Sequence, residues 1–211
     1  MSKPAGNCPN CGAPLQFQFS SAVQTTCPYC KSILVRHDVN LEKVGEVADL
    51  PPDASPIQLL TEGIYKNKSF RVVGRIIYQY DQGYWNEWHC VTHQGESLWL
   101  SDAMAQYAIT WHVQPKEPLP KFGHVNIGKK IEWQGTTYEV FSWNAANYVT
   151  VEGELPFEYW DKQKCSFVDL KSTDNHFGTI DYSEDPPLLF LGEYVEFDSL
   201  RLKNLREFEG W

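Results

Sequence analysis

A chain of 211 residues and 24.3 kDa has room for one sizeable domain plus a small module, or for two small domains. Hydrophobic residues make up 42% with no run near the length of a membrane span, so a soluble protein is expected, and a formal charge of −9 disfavours nucleic acid as a partner. The charge is uneven: residues 1–37 carry Lys3, Lys31 and Arg36 and no acid, which leaves −12 for residues 38–211. Three cations are a weak electrostatic footprint, so nucleic acid is disfavoured for the N-terminal part as well.

No apolar segment precedes Cys8 in MSKPAGN, so no ordinary secretory signal is read and a cytoplasmic location is expected. The stretch that follows, Cys8 to Cys30, carries the sharpest signal in the chain. Two Cys-x-x-Cys pairs, Cys8/Cys11 and Cys27/Cys30, are separated by fifteen residues. Each pair offers two thiolates from one tight turn, and two such turns complete a tetrahedral four-sulfur site for one structural zinc ion. Pro9 and Pro28 fix φ after the first cysteine of each pair, and Gly12 suits the turn. A redox pair is the competing reading of CPYC, but it needs no second matched pair. A disulfide framework would need an oxidising compartment. Residues 1–37 are therefore read as a zinc ribbon with no open coordination position for chemistry.

Residues 38–56, acidic and rich in proline, read as a linker with a short helix near Leu41 to Val47. From Ile57 to the C-terminus the pattern is that of strands. Phe70, Val72, Ile76, Tyr78 and Tyr80 share one parity, opposite Arg71, Arg75 and Gln79, which predicts one buried face. Asp81-Gln82-Gly83 turns into a strand over Tyr84 to Thr92, and further strands are expected at Ser97 to Ser101 and Tyr107 to Val113. A second block has Ile131, Trp133, Tyr138 and Val140, a turn at Asn144 to Asn147, and Tyr148 to Val151. The last third gives Ser166 to Leu170, Phe177 to Tyr182 and Leu188 to Phe197. Ala103 to Tyr107 and Ser199 to Phe208 are the other short helix candidates.

The fold class is therefore mainly β: a zinc ribbon, then an antiparallel β-sandwich or partly open β-barrel over 57–211. Matching Phe70 to Tyr138 and Val72 to Val140 gives an interval of 68 residues, while Ile64 to Ile131 gives 67. One inserted turn residue would reconcile them as a duplicated β unit, with sub-units 57–120 and 121–211.

No nucleophile elbow, phosphate loop, dinucleotide fingerprint or zinc-protease helix is present, and no catalytic residue is assigned. His89 and His93 flank Cys90, but on an extended strand they stand too far apart to share an ion, and Cys90 and Cys165 read as buried free thiols. The densest aromatic run is Tyr84-Trp85-Asn86-Glu87-Trp88-His89. Trp85, Glu87 and His89 share one strand face, with Trp88 on the other. One face is expected in the core, and Trp85, Glu87, Trp88 and His89 are candidates for a ligand or partner surface.

The CPNCGAPL and CPYCKS knuckles, the VVGR ending at Arg75, YWNEW, SLWLS, EGELP and Val168-Asp169-Leu170 together resemble a bacterial family of unknown function. This is domain-of-unknown-function family 4178, often preceded by a zinc ribbon. The resemblance implies no activity. It implies bacterial gene neighbourhoods with aminopropyltransferase-like enzymes and membrane-stress proteins. Two expectations follow: a non-enzymatic adaptor that uses ribbon and body as separate surfaces for a protein partner, or an acidic body that binds a small cation such as a polyamine. In the second, Trp85 or Trp88 supplies the ring face and Glu87 the counter-charge.

Overall fold

Tight turns and cross-strand pairs organise most of the chain, which the computed structural model describes over residues 5–38, 40–49, 54–81, 83–161 and 164–208. In the N-terminal module, β1 (Ala5–Asn7) pairs antiparallel with β2 (Pro14–Gln16). Strands β3 (Gln24–Thr26), β4 (Ser32–His37) and β5 (Asn40–Glu46) form a second, three-stranded antiparallel sheet. Strand β5 replaces the helix expected near Leu41 to Val47. Asp38, at φ 56°, turns the chain back along β4, and ladder pairing of Ile33 with Gly45 and Leu34 with Lys43 outweighs the weak helical spacing. The module thus runs on to Glu46, inside the stretch read as linker.

The body follows as β6 (Glu62–Tyr65), β7 (Lys68–Tyr80), β8 (Gly83–Thr92), β9 (Ser97–Ala103) and β10 (Gln106–Val113). It continues with β11 (Lys130–Trp133), β12 (Thr136–Gly153), β13 (Lys164–Lys171), β14 (His176–Asp181) and β15 (Leu188–Val195). All belong to one antiparallel sheet, and the C-terminal half of β12 also pairs with β7. Hydrogen bonding therefore runs in a ring, β7-β8-β9-β10-β15-β14-β13-β12, which makes the body barrel-like. Three local readings change. Asn144 to Asn147 is the middle of β12, which exchanges β13 for β7 as a partner and needs no turn. Ala103 to Tyr107 is the β9–β10 hairpin, with Met104 and Ala105 both at positive φ. Near Ser199 to Phe208, helical geometry is confined to a 3-10 turn at Phe197–Leu200.

The two halves of the ring repeat one plan. Strands β6–β7 and β11–β12 are hairpins with two-residue turns in the left-handed region, Lys66-Asn67 and Gln134-Gly135. Each long strand then carries a bulge, at Val73 against β8 and at Phe141 against β13, an interval of 68. At the same interval, the pair Gly63–Phe70 matches Ile131–Tyr138 and Tyr65–Lys68 matches Trp133–Thr136. Ile64 therefore corresponds to Glu132, and no inserted residue is needed.

The bulge at Val73 also explains a failure of simple alternation. Phe70 and Val72, before it, pack outward with Trp88, Cys90, Leu98 and Leu100, while Ile76, Tyr78 and Tyr80, after it, face inward. One extra residue inverts every later side chain. Arg75 consequently lies on the outer face over Trp88, 4.5 Å from the ring, at 2% exposure. Its Nε and Nη2 donate to Oδ1 of Asn86 at 2.9 and 2.7 Å, and Nη1 meets Oε2 of Glu152 at 3.1 Å. A charge taken this far from water needs that full set of partners.

Both outer faces are covered. Ile57, Tyr65 and Leu200 close over the first half, and Val125, Ile131 and Trp133 over the second. Fully burying a side chain such as Leu98 or Ile109 contributes about 1.5–3 kcal/mol each.

Candidate functional site

The four cysteines converge. Their sulfurs all lie within 4.8 Å of one another, with Cys8 to Cys30 at 3.7 Å and Cys11 to Cys27 at 3.8 Å. A tetrahedron with metal–sulfur bonds of about 2.3 Å has an edge of about 3.8 Å, so the donor set fits a tetrahedral ion without rearrangement. Two matching turns build it. Gly12 N–H donates to the Cys8 carbonyl at 2.8 Å and Lys31 N–H to the Cys27 carbonyl at 3.0 Å, with Gly12 and Lys31 both at positive φ. Hydrogen bonds from Asn10 and Ser32 draw the Cys30 thiol down to about 5. Among the described residues this is the single cluster able to hold a metal ion, and His89 and His93 form no second one.

The module is packed on the barrel, and the EGELP segment makes the joint. Glu154 accepts the amides of Gln18 and Phe19, at 2.7 Å each. Leu155 exchanges main-chain hydrogen bonds with Gln24. The Gln24 side chain brackets the Tyr159 main chain, accepting its N–H at 2.8 Å and donating to its carbonyl at 3.3 Å. Phe17 and Phe19 pack with Val73, and Phe19 meets His89 edge-on at 5.2 Å. His89 is fully buried; its Nδ1–H donates to the Glu154 carbonyl and its Nε2 accepts from Ser97, both at 2.8 Å. Burial lowers its pKa to about 4, so it is a neutral, structural histidine.

Inside the ring lies a cavity of about 210 Å³ with aromatic walls and acidic groups. Trp85 stacks on Tyr78 at 4.8 Å, and Trp99 stacks on Phe157 at 5.6 Å. Glu87 receives the indole N–H of Trp85 on Oε1 at 3.2 Å and the Ser101 hydroxyl on Oε2 at 2.7 Å. Asp169 receives Ser142 and Asn144 on Oδ2 at 2.7 and 3.0 Å. Burial pushes the Glu87 carboxyl up to about 8, with Asp169 and Asp181 adding to the shift, and burial also raises Asp169. Each half of the ring thus supplies an acid from its second strand, opposite a hydroxyl on its third: Glu87 with Ser101 and Asp169 with Thr179.

The structure separates the four residues of the expected surface. Trp85 and Glu87 share the cavity. Trp88 is fully buried on the outer face beneath Arg75, and His89 is fully buried at the joint, so neither offers a surface. Both strand faces are interior because β6 and the chain near Leu200 cover the outside. The aromatic run therefore offers a concave site rather than an exposed patch. Asp169, Asp181 and Tyr159 joined the cavity unannounced, since their proximity to Glu87 depends on ring closure; Val168-Asp169-Leu170 and EGELP were the only local signals near them. Cys90 and Cys165 are buried thiols as expected.

No helix among the described residues is long and apolar enough to cross a membrane. Neither a curated protein nor a solved structure matches the chain. Residues 61–197, from the residue before β6 to the end of β15 and just beyond, match one family, and the chain accordingly belongs to the family described as Domain of unknown function (DUF4178).

Proposed function

We propose that the body is a binding domain for a small organic cation, held in the ring cavity, and that the N-terminal module is a zinc-stapled cap. The observation that carries the reading is that Trp85 and Glu87 lie side by side on the cavity wall, with Asp169 on the other half of the ring. Ring faces favour a positive charge, and a cation in the cavity would draw Glu87 and Asp169, whose carboxyls burial holds toward their protonated forms, into the ionised state that attracts it. A cavity of about 210 Å³ is below the usual range of roughly 300–1,000 Å³ for drug-sized ligands, which favours a compact cation over an extended polyamine. No group is placed as a nucleophile, so the reading is binding rather than catalysis.

Calorimetry with a panel of small amines, at low and at high salt, tests the site. Salt-resistant binding that is lost in Glu87→Gln supports it. Heat that vanishes with salt would reveal only the general attraction of an acidic body for cations.

Zinc suits the cap because four thiolates with tetrahedral spacing select it over harder ions, and a closed set leaves it structural. One equivalent of zinc in the purified chain, lost in Cys27→Ser, is the expected result. Metal-free protein with an unchanged melting temperature would remove this part. The adaptor reading has ribbon and body each offer a surface with the linker setting their spacing; here Glu154, Leu155 and Gln24 also join the two directly.

A further inference from the structure

We infer that the cavity selects a methylated ammonium group, tertiary or quaternary, over a primary amine. The inference rests on the cation site proposed above and concerns which cations that site takes.

A primary ammonium brings three N–H donors, and each must find an acceptor once it leaves water. The carboxylate oxygens on the cavity wall are already partly engaged. Both oxygens of Glu87 receive hydrogen bonds, from Trp85 and Ser101, and Oδ2 of Asp169 receives two, from Ser142 and Asn144. An ammonium would have to share those oxygens at the lone pairs left over, in directions that the existing partners constrain.

Aromatic rings dominate the rest of the wall. Trp85 is stacked on Tyr78, with Tyr80 and Phe167 edge-on to it at 5.3 and 5.6 Å. A methylated ammonium spreads its charge over methyl groups, sheds water readily and carries one N–H or none. Ring faces hold such a cation without hydrogen bonds, and its positive charge would in turn favour the ionised forms of Glu87 and Asp169 behind their existing partners. A trimethylammonium head is also compact enough for the space.

The test is calorimetry on the full, metal-loaded chain at moderate salt. Choline, tetramethylammonium, ethanolamine and 3,3-dimethyl-1-butanol, the neutral isostere of choline, are compared. Choline and tetramethylammonium are expected to bind at least about tenfold more tightly than ethanolamine and the isostere. Ethanolamine equal to or tighter than choline overturns the inference and leaves the cation site standing. An isostere as tight as choline, or no binding by any cation, overturns both. Trp85→Leu should abolish the preference, and Trp85→Phe, which keeps a ring and most of the packing, should retain it in weakened form. A preference unchanged in either folded variant also refutes the cage.

Discussion

Trp85 donates its indole N–H to Oε1 of Glu87 from two residues away on the same strand and the same inner face. That bond favours the ionised carboxylate, yet burial wins and the carboxyl titrates at about 8, above its ordinary 4.5. A folded-state pKa above the unfolded value means that the folded chain holds the proton more tightly. The associated stability is complete below about pH 4.5 and is lost as pH rises through about 8. Glu87→Gln keeps the shape and removes the charge. It should match wild type near about pH 5 and exceed it by roughly 1–3 kcal/mol near about pH 9 in urea titrations. Parallel pH profiles for the two proteins would contradict the burial of this carboxyl.

His89 has the opposite sign. Its pKa falls from 6.5 to about 4 because burial penalises the imidazolium. Stability tied to it is complete above about pH 6.5 and drains away as pH falls toward about 4, by up to roughly 3 kcal/mol. His89→Gln should be less stable at neutral pH, having lost its bonds to Glu154 and Ser97. It should also show a flatter acid limb, read by denaturant midpoints across that window.

Removing the metal should disturb the barrel. Strand β3 leads from Gln24 directly into Cys27, and Gln24 holds the main chain of Tyr159, whose hydroxyl accepts from Tyr78 at 2.6 Å beside the cavity. Chelation is expected to shift tryptophan emission to longer wavelength and to speed amide exchange over residues 155–160. Gln24→Ala, with the metal retained, should reproduce the exchange change and cost about 1–3 kcal/mol through unpaired main-chain groups. Exchange confined to the N-terminal module would contradict this coupling.

Gly153 and Gly74 face each other where β12 meets β7. A Cβ on Gly153, which sits at φ 66°, would come within 2.2 Å of the Val73 carbonyl oxygen. Backbone cannot yield there as a flexible side chain could. Gly153→Ala should lose roughly 3 kcal/mol or more, or fail to give soluble protein. An unchanged melting temperature would refute the close approach.

Local signals in the sequence were reliable where the structure is local. The cysteine spacing gave the four-sulfur cluster, and alternation between turns gave β8 to β10 and β13 to β15 within a few residues. Alternation failed at Val73 and Phe141, because a bulge leaves no mark in composition yet exchanges inside for outside. It failed again at Trp88, which reads as a surface candidate until β6 and the chain near Leu200 are known to cover it. The cavity was half legible: Trp85 and Glu87 are strand neighbours, but Asp169 reaches them only through the ring.

The shared interval of 68 has a bearing on descent. Two copies of a hairpin-led meander, joined at β7–β12 and at β10–β15, form the arrangement that a pair of identical short chains would make about a two-fold axis. Fusing such a pair into one polypeptide frees each copy to change alone. In such a pair His89 and Asp169 would stand at equivalent positions, opposite Gly74 and Ser142 beside the two bulges, and here one is a neutral strut beneath the four-cysteine module and the other an acid facing the cavity. The division of labour between scaffold and pocket was thus open to a single chain in a way that it never is to a symmetric pair.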